Sequence, residues 1–354
     1  MEVLPVGGIA ALVGLVVGLI MGFAARFGGF GTLSALRSAW ELGDQRRVRL
    51  WGIIIGVAIV ATFALDAFGY VRIAETAYHA GPLRPIPAIL GGFAFGVGMA
   101  LAGNCGFEAL VRTGAGDVRA LIIAAVIGIT AMMTVSGPLS FLTDLARSSY
   151  AVETPVGIAH FLSGEVGLSP FFFAVILASL FIAMGLAYIP LRRSPQRLAW
   201  GAAVGLSVAF AFAGLTWIDA SPAGPAQVDG PSFAVPMGQA LLALMLPAEQ
   251  GQSFAAGLVA GVLLAAFLGA IFRGFHRAAH TETHITLGRV TLGAALMGIG
   301  GAVAAGDIIG QGIGAMATLA WSGPVTLIAI FAGCWLCRGR LVAPQSSALY
   351  AMQA

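Results

Sequence analysis

The sequence predicts an all-α polytopic membrane protein with about nine transmembrane helices, short broken or re-entrant helices between them, and an inverted internal repeat. Three observations carry this. Of 354 residues, 59% are hydrophobic and only 9% are charged, where a soluble domain has about 25% charged residues. Apolar runs long enough to span a bilayer recur along the whole chain. Two stretches 202 residues apart share one register of glycines.

A surface this poor in charge needs lipid to cover it, and mean hydropathy is +0.95. A spanning helix takes about 20 mostly apolar residues. The runs that fit are 6–25, 50–68, 86–103, 119–137, 170–190, 198–218, 252–272, 290–305 and 322–337. The first run lacks a basic leader, so it is expected to be kept as a helix. Residues 138–168 and 232–246 read as partly ordered connections, the latter as a short helix at the membrane interface. The whole chain, 1–354, reads as one membrane domain. It divides into a first half-repeat at 6–137, a connecting segment with one span at 138–197, and a second half-repeat at 198–337.

The loops set the expected orientation. Every basic residue is Arg, and most fall in alternate loops: Arg46, Arg47 and Arg49; Arg112 and Arg119; Arg192, Arg193 and Arg197; Arg273, Arg277 and Arg289; Arg338 and Arg340. Arginine collects on the cytoplasmic side, which puts the N-terminus outside and the C-terminus in the cytoplasm of a bacterial inner membrane. Arg72, Arg84 and Arg147 are the minority on the other side. The net charge of +3 belongs to these loops. No basic patch interleaved with aromatics points to nucleic acid.

The repeat pairs LGGFAFGVGMALAGNC (90–105) with LGAALMGIGGAVAAGD (292–307). Gly91, Gly96, Gly98 and Ala102 meet Gly293, Gly298, Gly300 and Ala304, and Cys105 meets Asp307. With nine spans the copies run in opposite directions, an architecture that places transporter sites where the halves meet. Each copy ends in a glycine-rich break followed by a short helical stretch. Broken helices within a membrane must face protein or a polar cavity, and their N-termini suit anions. Residues 22–37 show the same style of break, and 269–275 suggest a fourth.

The candidate path residues follow from these breaks: Gly103, Asn104 and Cys105 at the first, Asp307 and Gln311 at the second, and Gly31 and Arg26 near the start. Arg112 lies seven residues beyond Cys105. A thiol is a soft, weak donor suited to a sulfur-bearing anion; its ordinary role is that of a small buried hydrophobe. Asp307 reads as an N-cap for the helix from Ile308 or as a proton or cation site. Arg112 reads as a cytoplasmic anchor or an anion attractor, paired with Glu108 at i, i+4. Cys334 and Cys337 read as lipid- or core-facing. His276, His280 and His284 read as a solvated loop. No metal site and no cofactor are expected.

Gly91–Cys105 followed by 110–116, Gly298–Gly312, and Gly22–Arg37 resemble the signatures of the YeeE/YedE sulfur-transport family. The resemblance implies an hourglass-shaped inner-membrane protein with nine spanning helices and central broken helices. It also implies thiosulfate uptake through pore cysteines. Cys105 matches the central cysteine, while Gly31 and Asp307 stand where the opening and late cysteines would be. The expected function is therefore transport of a small sulfur-containing anion, without enzymatic chemistry. Lipid and, on the inner face, a cytoplasmic sulfur-carrier protein are the expected partners. Two alternatives stay open at this point. One is the same fold serving a different oxyanion, a neutral sulfur species or a cation; the other is a membrane-embedded sulfurtransferase in which Cys105 carries a persulfide.

Overall fold

The computed structural model describes residues 6–153, 156–219, 228–246, 253–273 and 286–341. The elements, in order, are α1 (Val6–Phe23), a π-helical turn (Ala24–Gly28), α2 (Leu33–Glu41), α3 (Arg46–Ala67), α4 (Pro85–Ala102) and α5 (Gly106–Gly114). Next come α6 (Val118–Ser136), α7 (Phe141–Ser148), α8 (Gly157–Val166), α9 (Pro170–Leu186), α10 (Ile189–Arg192) and α11 (Pro195–Asp219). The chain continues with α12 (Ala234–Ala243), α13 (Phe254–Arg273), α14 (Leu287–Val303), a π-helical segment (Gly310–Ala315) and α15 (Ser322–Leu341). No strand occurs among the described residues, only isolated bridges at Thr76–Val228 and Leu83–Val152.

Each apolar run read from the sequence holds one long helix; the run 6–25 also enters the π-helical turn, and 170–190 also takes in the start of α10. Six helical stretches are long and apolar enough to cross a bilayer: Gly7–Glu41, Arg46–Ala67, Pro85–Gly114, Val118–Ser136, Pro195–Asp219 and Phe254–Phe272. Pro170–Leu186, Leu287–Val303 and Ser322–Cys337 are apolar but shorter. The protein is thus an all-α, multi-pass membrane protein.

Glycine explains how these helices approach each other. In lipid there is no hydrophobic drive between helices, so close backbone packing does the work. A Cβ on Gly91 would lie 2.7 Å from the Gly300 carbonyl and 2.6 Å from the Ala304 nitrogen. A Cβ on Gly293 would lie 2.7 Å from the Gly98 carbonyl and 2.5 Å from the Ala102 nitrogen. Shifting each residue by the sequence offset of 202 converts the first pair of contacts into the second. Helices α4 and α14 therefore cross antiparallel about a local two-fold axis.

The same relation extends outward. Gly96 meets Ile330 and Cys334 of α15, and Gly298 meets Ile127 and Ala131 of α6. Gly18 meets Leu258 and Val262 of α13, and Gly205 meets Ile54 and Ala58 of α3. So α1 pairs with α13 as α11 pairs with α3, and the internal repeat is inverted.

Two sequence expectations are corrected here. The structural counterpart of the break after α1 is the segment before α12, residues 228–233, and not 269–275, because α13 runs on to Arg273. Residues 274–285, with the three histidines, lie outside the described residues. Nor does α12 lie flat at the interface: Ala234, Pro236, Met237 and Gly238 are buried, and Gly238 packs against Gly128 in the middle of α6. A Cβ at Gly238 would overlap the Gly128 carbonyl, so only this small residue lets α12 enter the helix bundle.

Candidate functional site

The first break begins where α4 stops. Gly103 adopts the left-handed conformation (φ 71°) that ends a helix and that costs glycine little. Its repeat partner, Ala305, is also left-handed (φ 53°) despite its Cβ. An alanine held there marks stored strain at the second break. After Gly103 the chain passes the buried Asn104 and turns at Cys105, which is the N-cap of α5. The Cys105 Sγ accepts the Glu108 backbone N–H at 3.4 Å. Cys105 is fully buried, and the buried hydroxyl of Thr32 neighbours its thiol as a hydrogen-bond partner.

The Glu108 carboxylate does not pair with Arg112. It accepts both the backbone N–H (3.2 Å) and the hydroxyl (2.6 Å) of Ser34, in the first turn of α2. Its Oε1 also fills the place a side chain at Gly31 would take. Arg112 instead donates to Asp117, with Nη2–Oδ2 at 2.6 Å and Nε–Oδ2 at 3.0 Å. Asp117 in turn caps α6 through the N–H groups of Arg119 and Ala120. The i, i+4 pairing rule failed because a nearer acceptor, set by the turn at residue 117, took the guanidinium.

At the second break Asp307 is the N-cap expected of it. Oδ1 accepts the Gly310 N–H at 2.8 Å, and Oδ2 reaches across to the Phe233 N–H at 3.0 Å, at the start of α12. In the repeat register the two carboxylates are one turn apart, Asp307 matching Cys105 and Glu108 matching Gly310, yet their bonds span the same distance along the chain. Glu108 reaches Ser34 across 74 residues, and Asp307 reaches Phe233 across 74 residues. Each ties a broken-helix segment of its own half to the N-terminus of that half's other short helix. Gln311 donates its amide to the carbonyls of Ala304 (3.2 Å) and Ala305 (3.0 Å), while its buried Oε1 has no partner.

A run of tilted ring contacts links these segments. Trp51 and Phe30 are 5.7 Å apart, Phe30 and Phe107 5.2 Å, and Phe107 and Phe233 5.1 Å. The Trp51 indole donates to the Gly31 carbonyl at 3.3 Å. Phe30, Phe107 and Phe233 are buried, and Phe107 lies two residues beyond the thiol. Sequence reasoning missed them, along with Thr32, Ser34 and Ser232. Phenylalanine is common in apolar runs, and nothing in its spacing marks these contacts.

A cavity of about 830 Å³ opens on the membrane face where α1 begins. Its walls include His79, Arg84 and Arg147, and its floor includes Ser232, Gly306 and Gln311. It stops short of Cys105, which is absent from its lining. Tyr78 reaches from the same wall to Gly230 and Gly314, where any added side chain would strike its hydroxyl. Burial, with Asp229 and Asp307 nearby, pushes the Tyr78 hydroxyl further up, so it stays neutral.

His79 is pushed down to about 4, chiefly by burial and against its bond to the Thr318 carbonyl. The unfolded chain protonates this ring near its ordinary value of 6.5. The stability it contributes is therefore complete above 6.5 and falls as pH drops from there toward 4. Thermal unfolding of the solubilised protein is expected to shift down between neutral pH and about pH 5, and less so in His79→Asn. Equal shifts in both proteins would place the effect elsewhere.

The remaining predicted residues sit apart. Arg26, on the π-helical turn, lays its aliphatic stem over Gly269 of α13. Cys334 is buried against Gly96, as a core-facing residue should be, with Arg37 and Glu108 the nearest charges. Cys337 is half-buried one turn on. No group of metal-ligating side chains occurs among the described residues.

Taken together, a multi-pass inverted repeat with broken helices meeting at a buried thiol defines a membrane protein of the transporter type. Residues 27–336 match the family described as sulphur transport, and the chain belongs to that family. It is 26% identical to the thiosulfate transporter TsuA of Spirochaeta thermophila over 330 residues, covering 91% of this chain and 96% of that one. It is 25% identical to the thiosulfate transporter TsuA of Escherichia coli over 352 residues, covering 92% of each.

Proposed function

We propose that this protein carries a small sulfur-containing anion, thiosulfate first among them, across the bacterial inner membrane past Cys105. The single observation behind this is the position of that thiol. Of the three cysteines it is the one that caps a broken helix, between two halves related by an inverted repeat. The names of both relatives point to the same cargo. A thiol can donate to a terminal sulfur, and sulfur–sulfur contact favours a soft anion over chloride or sulfate.

In this reading residues 6–137 and 198–337 are the two halves, and 138–197 connects them. The cavity with Arg84 and Arg147 faces outside and collects anions. Gly103, Asn104, Gly31, Asp307 and Gln311 shape the path, and Arg112 and Arg26 draw the anion toward the cytoplasm. The loop arginines support a C-terminus inside, and in this reading a sulfur-carrier protein takes the cargo there. No bond is made or broken in transit, so the protein is not an enzyme.

Uptake of radiolabelled thiosulfate into proteoliposomes tests the proposal. Saturable uptake, inhibited by excess unlabelled thiosulfate and little by sulfate, is expected. Liposomes that take up no more than protein-free controls, at any pH, would remove the reading.

A further inference from the structure

The outer cavity ends on oxygen atoms. Helix α14 stops at Val303, and Ala302, Val303, Ala304, Ala305 and Gly306 all line the cavity. The last carbonyls of a helix lack intrahelical donors and carry partial negative charge. Gln311 reaches two of the carbonyls at this end. Its Nε2 donates to Ala304 at 3.2 Å and to Ala305 at 3.0 Å. These two bonds fix which way the amide faces. Turned over, Oε1 would meet two carbonyls, so the nitrogen keeps that side and the oxygen is left as the free acceptor. Gln311 is 2% exposed, and its Oε1 has no partner in the protein. A buried acceptor in that state is costly and calls for a positive partner.

Further oxygens surround the same floor. A Cβ at Gly310 would lie 2.8 Å from the Ser232 Cβ and 3.4 Å from the Asp307 Oδ1, which sets the Ser232 side chain beside that carboxylate. Tyr78 and Asp229 line the cavity as well, and the charges of Asp229 and Asp307 both act on the Tyr78 hydroxyl. The basic groups of the lining stand higher. Arg84 precedes α4, whereas Ala304 packs on Gly91, about 10 Å further along that helix. The Arg84 Nη1 donates to the Ser149 carbonyl at 2.8 Å, and Arg147 is 76% exposed beside Asp144. His79 is neutral at pH 7.

We propose that the floor of this cavity, built from the Gln311 Oε1, Ser232 and the carbonyl end of α14, binds a small monovalent cation, Na⁺, that enters together with the anion. The inference rests on the transport reading above and adds its coupling ion. Hard cations take oxygen ligands, and the C-terminal end of an interrupted helix is a site at which membrane carriers hold them. A single charge fits the ligand set. The oxygens are neutral, and Asp307 is already held by the N–H groups of Phe233 and Gly310. The cavity thus separates the two signs, with arginines at its rim for the anion and oxygens at its floor for the cation. A dianion moving toward a negative interior gains driving force from a cation that travels with it.

The experiment measures thiosulfate accumulation in proteoliposomes with the membrane potential held at zero by equal K⁺ on both sides and valinomycin. External NaCl is compared with choline chloride. One coupled Na⁺ is expected to raise the accumulation ratio about tenfold for a tenfold inward Na⁺ gradient. Ser232→Ala is expected to raise the Na⁺ concentration for half-maximal uptake by about three- to tenfold, through the loss of one neutral ligand. Gln311→Leu is expected to abolish the Na⁺ response; should it fail to fold, the parent and Ser232→Ala decide.

Equal accumulation with Na⁺ and with choline overturns the cation site and leaves the transport reading intact. So does an Na⁺ midpoint that Ser232→Ala does not move. No uptake in either salt overturns the transport reading instead, and binding then decides the site. NaCl is expected to raise the unfolding temperature of the solubilised parent above that in equal choline chloride, and to do so less in Ser232→Ala. No difference between the salts, or the same difference in both proteins, contradicts the site.

Discussion

Cys105→Ala is expected to cut thiosulfate uptake by about 10- to 100-fold, while Cys334→Ala leaves it near the parent value. The magnitude follows from what is removed. A hydrogen bond to a charged partner is worth about 1.5–3 kcal/mol, and every 1.4 kcal/mol is about tenfold. Cys105 is the buried N-cap of α5, with the Thr32 hydroxyl at its side. Cys334 is inside α15, packed on α4 at Gly96. Serine at position 105 is expected to fall between the two. It restores a donor and an N-cap acceptor but not the polarizable sulfur. Initial rates in proteoliposomes with matched protein content check all three. Equal rates in parent and Cys105→Ala would mean that the anion takes another route.

Gly31→Cys is expected to destabilise the protein on its own and to be rescued by a second change, Glu108→Gly. A Cβ at position 31 overlaps the Glu108 Oε1 and would come within 2.6 Å of the Ser34 hydroxyl. Overfilling a packed interior costs about 1–3 kcal/mol, and here it also breaks the two bonds from Ser34 to the carboxylate. Removing the Glu108 side chain frees that volume, at about 1 kcal/mol for a glycine within a helix; the Ser34 bonds are lost in both variants, so relief of the overlap is what separates them. The single variant should therefore unfold at lower temperature and give less monodisperse protein than either the parent or the double variant. A single variant as stable as the parent would show that Glu108 moves aside freely and does not own the space.

This exchange shows what the sequence could and could not reveal. The spans were legible because lipid imposes length and apolarity on each of them. The repeat was legible because helix crossings demand glycine at fixed intervals, and Gly91, Gly98, Gly293 and Gly300 kept that register over an offset of 202. Cys105 and Asp307 were legible as the ends of matched segments. The bonds from Ser34 to Glu108 and from Phe233 to Asp307 were not, since each joins residues 74 apart and no local rule connects them. Glycine counting also misplaced the fourth break. At residues 229–231 the interruption is written as Asp-Gly-Pro, next to an apolar stretch that looked like a surface helix. Only the packing of Gly238 on Gly128 shows that α12 goes inward.

The central claim is that the cargo passes in contact with Cys105. A structure of the protein with thiosulfate bound tests it most directly. The anion is expected beside the Cys105 Sγ and the Thr32 hydroxyl. Thiosulfate found solely among Arg84, Arg147 and His79 in the outer cavity, with residue 105 still buried in every loaded state, would contradict it.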